Sequence, residues 1–128
     1  MKFKLCVLLA AAVCVALLTA PALAAAPRVL WGRSTYYASR YVGQTMSCGG
    51  RYRHRKMIAA VDLTVPMKCG KTLMVKNRAN GRKIAVTVAD RCSCPGRTVI
   101  DLSRRAARKL RYVSAGWARV RVKVMPST

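Results

Sequence analysis

Acidic side chains are nearly missing from this chain: three Asp and no Glu stand against 25 Lys and Arg in 128 residues. A residue type so scarce is informative wherever it falls, and Asp90 and Asp101 lie eleven positions apart. Histidine occurs once, as His54 inside the basic run 51–56, RYRHRK. Nothing near it in sequence would orient it, so a catalytic base is not expected there. The run is either an anion clamp or an exposed loop. Paired Cys-x2-Cys motifs are absent, with one Cys-x-Cys and two single cysteines in residues 25–128, which argues against zinc. The longest apolar run, residues 5–18, is too short for a membrane anchor. Aromatic residues do not alternate with basic ones as a base-stacking platform would, Tyr52 apart, so nucleic acid is not an expected partner. Internal repeats and low-complexity segments are also missing, and the length allows one domain.

What is present begins with an export signal. Lys2 and Lys4 precede the apolar run, Pro21 breaks it, and Ala22-Leu23-Ala24 supplies a small-x-small cleavage site. Cys14 follows Val13, where a lipoprotein signal would carry a small residue, so residues 1–24 are expected to leave a free, secreted domain, 25–128. Without Lys2 and Lys4, 23 basic residues face three Asp, a net of +20. Such a field calls for an anionic partner or environment. Cys48, Cys69, Cys92 and Cys94 remain, an even number in an exported domain, so disulfides are expected.

Along the mature chain, residues 25–32 form a lead-in without clear period, and 33–38 (RSTYYA) read as a strand. Residues 39–50 are polar and Gly-rich, hence loop. Residues 57–62 form a short buried strand or turn entry, and 72–77 a strand. Asn80-Gly81 signals a two-residue turn, after which 83–89 return antiparallel with Ile84, Val86 and Val88 on one face. Ser103 caps a helix over 104–110 that buries Ala106, Ala107 and Leu110. Residues 118–125 alternate, with Val120, Val122 and Val124 inward. Short strands, one hairpin and one small helix describe a compact β-barrel with a helix laid over it.

The stretch 86–103, VTVADRCSCPGRTVIDLS, organises the rest. Asp90 ends an apolar run and Asp101 leads into the helix. Between them lie Cys92, Cys94 and a Pro95-Gly96 turn, so two acids are expected to face one groove. Asp101 can alternatively cap the helix together with Ser103, and Asp90 can pair with Arg91. Cleaving a glycosidic bond needs a carboxylic acid that keeps its proton near neutral pH. Asp90, beside Arg91, is expected ionised unless buried, or else the two acids approach closely enough to share a proton.

The runs CGGRY (48–52), IAAVDLTVP (58–66), CGKTLMVKNRANGRKIAVTVADRC (69–92) and VIDLSRRAARKL (99–110) resemble the RlpA-like double-psi β-barrel. RlpA proteins, the catalytic-type domain of expansins, and barwin- and kiwellin-like defence proteins share it. The resemblance covers about residues 32–125. It implies a mainly β fold, a six-stranded double-psi barrel with one or two short helices. It also implies a cell-wall glycan as ligand, with no cofactor. Asp90 matches the family's site aspartate in the DR motif, Asp101 the aspartate of the DLS motif, and Thr35 the site threonine of expansin-type domains. Tyr36 and Asp62 join Thr35 as substrate-binding candidates, with Asp90 and Asp101 as catalytic ones. Of three possible pairings, the barwin-type resemblance favours Cys48–Cys69, worth ~3 kcal/mol, leaving Cys92–Cys94. A bridge from Cys48 or Cys69 to the Asp90 loop is the competitor.

Two departures stand out. RlpA proteins that cut peptidoglycan carry a Glu where Gly50 stands, and a His in the segment matching 59–66, which here holds Val61 and Asp62 instead. The expectation is a secreted, monomeric wall-glycan binder acting on peptidoglycan or another polysaccharide, held by anionic wall polymer, that cleaves as a lytic transglycosylase or only binds. A non-enzymatic cationic barwin-, kiwellin- or expansin-like wall-binding or defence protein is the alternative.

Overall fold

The computed structural model describes Ala20 and residues 27–127. The expected signal segment otherwise lies outside the described residues. Six strands, β1 (Val29–Tyr36), β2 (Ile58–Asp62), β3 (Thr72–Asn77), β4 (Lys83–Cys92), β5 (Thr98–Leu102) and β6 (Ala118–Val124), close into a barrel in the order β1-β5-β2-β4-β3-β6. The mainly β, six-stranded fold is therefore present. Among the described residues it carries one α-helix, α1 (Arg104–Lys109), and one three-residue 3-10 turn, Ser39–Tyr41. No helix of the described residues is long and apolar enough to cross a membrane.

Alternation drives the barrel. Val120 and Val122 on β6, Leu73 and Val75 on β3, Val86 and Val88 on β4, and Ile100 and Leu102 on β5 all point into one core. Each such side chain contributes about 1.5–3 kcal/mol by leaving water. β2 differs, for it is buried on both faces. Ala59 and Val61 join the barrel core, while Ile58 and Ala60 pack with Tyr37, Met46 and Tyr52 in a second, smaller cluster. Polar alternation is therefore absent from β2.

Three local expectations need correction. β1 starts at Val29, not Arg33, because residues 29–34 pair antiparallel with β6. Gly32 is what lets β1 approach the start of β5: a Cβ there would lie 2.6 Å from Val99 Cγ1 and 3.0 Å from Arg97 O. Asn80-Gly81 does not form a two-residue turn; residues 78–82 link β3 to β4. The side-chain amides of Asn77 and Asn80 both donate to Leu110 O at 2.9 Å, so this link satisfies a carbonyl left open at the helix end. Finally, residues 98–102 form β5, and β4 runs to Cys92, so Asp101 and Asp90 both lie within strands.

The helix starts as its sequence suggests. Ser103 Oγ accepts from Ala106 N–H at 3.3 Å, and Ala106, Ala107 and Leu110 are buried. Asp101 therefore plays no capping role. Six residues are too few for a helix to stand alone, and α1 holds by packing on the core. Cysteines pair as Cys48–Cys69 and Cys92–Cys94. The first bridge is tied to β4 at both ends, by Cys48 N–H to Ala89 O (3.1 Å) and Gly70 N–H to Val88 O (2.8 Å).

Candidate functional site

Two parallel pairings, β1 with β5 and β2 with β4, assemble the site. Thr35 is the register partner of Asp101, Asp101 of Ala60, and Ala60 of Asp90. One transverse row across four strands thus reads Thr35, Asp101, Ala60, Asp90. Side chains in such a row share a face. Between the acids stands only a methyl group, which leaves a hollow. That hollow opens into a cavity of about 380 Å³, lined further by Tyr37 and Tyr41 on one side and Cys92–Pro95 on the other.

The two acids sit in opposite environments. Asp101 is largely buried, which raises its pKa from 3.8 to about 6; Thr35 Oγ1, donating at 2.9 Å, offsets part of this, and the charge of Asp90 adds to it. Burial also pushes Asp90 upward, yet four donors outweigh it and hold that carboxyl below its ordinary value. They are Ser47 N–H and Ser47 Oγ at 2.7 Å each to Oδ1, Tyr37 O–H at 2.7 Å to Oδ2, and Arg91 N–H at 2.9 Å to Oδ1. Each acid has its own donors, so no shared proton is required.

Arg91 does not pair with Asp90 through its side chain. The guanidinium turns to the carbonyls of Met67, Asp62 and Val65, clamping the chain after β2. Asp90 is thus kept ionised by hydrogen bonds instead of by the neighbouring cation.

Thr35, Asp90 and Asp101 meet at this cavity, whereas Tyr36 and Asp62 do not line it. The Tyr36 hydroxyl donates to Val113 O at 2.9 Å and its ring packs against Tyr112. The Asp62 carboxylate accepts from the Thr64 hydroxyl, from Cys94 N–H at 2.9 Å and from Thr64 N–H at 3.1 Å, bonds that lower its pKa. Its place is in bracing the Cys92–Cys94 loop. Asp62, Cys92 and Cys94 also bring three potential metal ligands together, but both sulfurs are spent in the disulfide.

Tyr37 is the residue that strand-level reasoning missed. Period-2 alternation from Thr35 puts it on the site face, and that was the available signal. Its ring stacks on Tyr52 (centroids 4.1 Å apart, planes at 14°), and Tyr52 O–H lies 2.8 Å from His54 Nδ1. His54 is therefore oriented, contrary to expectation, though it does not line the cavity. The run around it is an exposed loop whose cations Arg51, Arg53, Arg55 and Lys56 face solvent while Tyr52 is buried. Gly50 adopts φ +75°, a left-handed conformation that favours glycine at this position.

A six-stranded barrel with two acids in one groove defines a class, and comparison with known sequences places the chain in it. The profile of the lytic transglycolase family, a double-psi β-barrel, matches residues 31–122, and the chain belongs to that family. It is 35% identical over 91 residues to the endolytic peptidoglycan transglycosylase RlpA of Neisseria meningitidis, covering 71% of this chain but 37% of that protein. An uncharacterized protein of Synechocystis is 39% identical over 77 residues, 60% of this chain and 78% of the other. Among solved structures, the Streptomyces papain inhibitor superposes with a TM-score of 0.62 at 28% identity, over 77% of this chain and 94% of that one. A mutant Clavibacter michiganensis expansin in complex with cellohexaose gives 0.60 at 25% identity, over 78% and 52%. The chain thus spans well under half of the RlpA protein and about half of the expansin.

Proposed function

We propose that this chain is an exported, monomeric domain that binds wall glycan in the Thr35–Asp101–Ala60–Asp90 groove and cuts it as a lytic transglycosylase. One observation carries the proposal: within a single cavity, Asp101 holds its proton to about pH 6 while Asp90 is ionised. Environments that push two carboxyl pKa values apart assign acid and base roles. Asp101 donates its proton to the glycosidic oxygen as the C–O bond breaks. The Asp90 carboxylate stabilises the positive charge that develops on the sugar ring. Asp101, now ionised, takes a proton from the same sugar's C6 hydroxyl, whose oxygen closes onto C1 to form an anhydro ring. No water is consumed, and Asp101 ends protonated. Thr35 and Tyr37 hold the two carboxyls in place.

The test is incubation with purified peptidoglycan sacculi and analysis of soluble products for anhydro-muramyl ends. Release that disappears in Asp101→Asn supports the mechanism, and no release anywhere between pH 5 and 8 rules it out. Retention on sacculi without release favours the second reading, a non-enzymatic cationic wall-binding or defence protein. Two features favour that alternative: glycine at position 50, and the papain inhibitor matched over 94% of its length.

A further inference from the structure

We propose a second ligand site, separate from the groove, in which arginines from four elements hold a phosphodiester-bearing glycan polymer. Arg33 on β1, Arg78 in the β3–β4 link, Arg97 before β5 and Arg119 on β6 line a cleft of about 440 Å³ with Gly32 and Trp117. A second cleft of about 640 Å³ shares Arg78, Trp117 and Arg119 with it and adds Arg111. Neither has a lining residue in common with the groove.

The cluster has no internal counter-charge. The three Asp are the chain's entire complement of acidic side chains. Asp90 and Asp101 sit in the groove and Asp62 binds Thr64 and Cys94. Like charges gathered without an acid repel one another, and an anionic ligand relieves that.

The guanidiniums are also arranged. Arg33 lies 5.3 Å from the centroid of Trp117 while its Nε donates to Thr98 Oγ1 at 3.3 Å. Arg78 and Arg121 lie 5.1 and 5.6 Å from the centroid of Trp31. Stacking occupies the flat face of a guanidinium and leaves its N–H edges free to fork onto an anion. Both tryptophans remain open to solvent, 58% exposed at Trp31 and 44% at Trp117. Cation–π pairing thus accounts for two large aromatics that the core does not use.

The geometry selects the anion. A carboxylate is planar and is met by one or two forks in its plane. A tetrahedral phosphodiester accepts from several directions and suits a cleft lined by arginines from four segments of the chain. A disulfide-bonded chain belongs to an oxidising compartment, where such an anion is carried by surface glycans more than by nucleic acid.

Trp31 and Trp117 are the only tryptophans of the chain, so intrinsic fluorescence reports this face and not the groove. The full chain is titrated at 0.15 M salt with poly(glycerol phosphate), polygalacturonate, neutral dextran and a single-stranded oligonucleotide of matched charge. Poly(glycerol phosphate) should shift the emission and bind at least tenfold tighter than the other three. Arg78→Gln with Arg119→Gln should weaken it at least tenfold, while Arg53→Gln with Arg55→Gln, an equal loss of charge elsewhere, should cost under threefold. Asp101→Asn should leave this titration unchanged, which separates the site from the groove. Thermal melts matching wild type confirm that each variant is folded. Equal losses in both double variants, or equal or tighter binding of polygalacturonate or the oligonucleotide, would overturn the proposal.

Discussion

Thr35 and Asp101 are partners in the parallel β1–β5 pair, 66 residues apart in sequence, and the threonine hydroxyl donates to Asp101 Oδ1 at 2.9 Å. The bond favours the ionised acid, yet burial prevails and the pKa stays near 6. Asp101 therefore holds its proton at the expense of stability above that pH.

Between about pH 4 and 6 the folded chain keeps a proton on Asp101 that the unfolded chain has released. Stability from this group is complete below the unfolded value and falls as pH rises through about 6. Asp101→Asn removes the penalty, so at pH 8 it should melt above wild type by the equivalent of about 2–3 kcal/mol, and the two should converge near pH 3. Turnover, if Asp101 is the acid, should fall about tenfold per pH unit above 6. Melts across pH 3–8 and a rate profile check both statements.

Asp90 behaves in the opposite sense. Its lowered pKa adds stability above the unfolded value, lost as pH falls through the folded one. Asp90→Asn should cost about 1 kcal/mol at pH 7, small because the group is substantially solvated. It should also abolish turnover or specific glycan binding. At acid pH the difference in melting from wild type should vanish. A variant that melts like wild type and still handles glycan normally would remove Asp90 from the site.

Tyr37→Phe keeps the ring stacked on Tyr52 and deletes one donor to Asp90. The expected cost is about 0.5–1.5 kcal/mol of stability. The Asp90 carboxyl, followed by NMR titration, should move upward. An unchanged titration would mean that Ser47 and Arg91 suffice.

Reduction should be costly. Cys48 and Cys69 close a loop with a sequence separation of 21, worth ~3 kcal/mol. Cys48→Ser with Cys69→Ser should lower the melting temperature by roughly 10–20 °C in a domain this size. Coincident melts with and without reductant would contradict that.

Legibility followed how each element buries its side chains. β3 and β6 alternate and the helix carries its Ser103 cap, so all three were visible in sequence. β5, TVIDL, was hidden because its outward position is an acid beside the helix start, and that acid belongs to the groove. The first residues of β1 were missed because their hydrogen bonding depends on β6, far along the chain. Asn80-Gly81 misled for a similar reason, since its amide is engaged with Leu110. The acids themselves stood out by scarcity. Their opposite pKa shifts did not, because these depend on burial of one and on donors from Ser47 and Tyr37 to the other.

Closure of the barrel through β5, which sits between β1 and β2, has a kinetic consequence. Thr35, Ala60, Asp90 and Asp101 come into line only after three long-range strand pairings are complete, and such pairings are slow to form. The complete groove should therefore form late in refolding, together with the last protected amides.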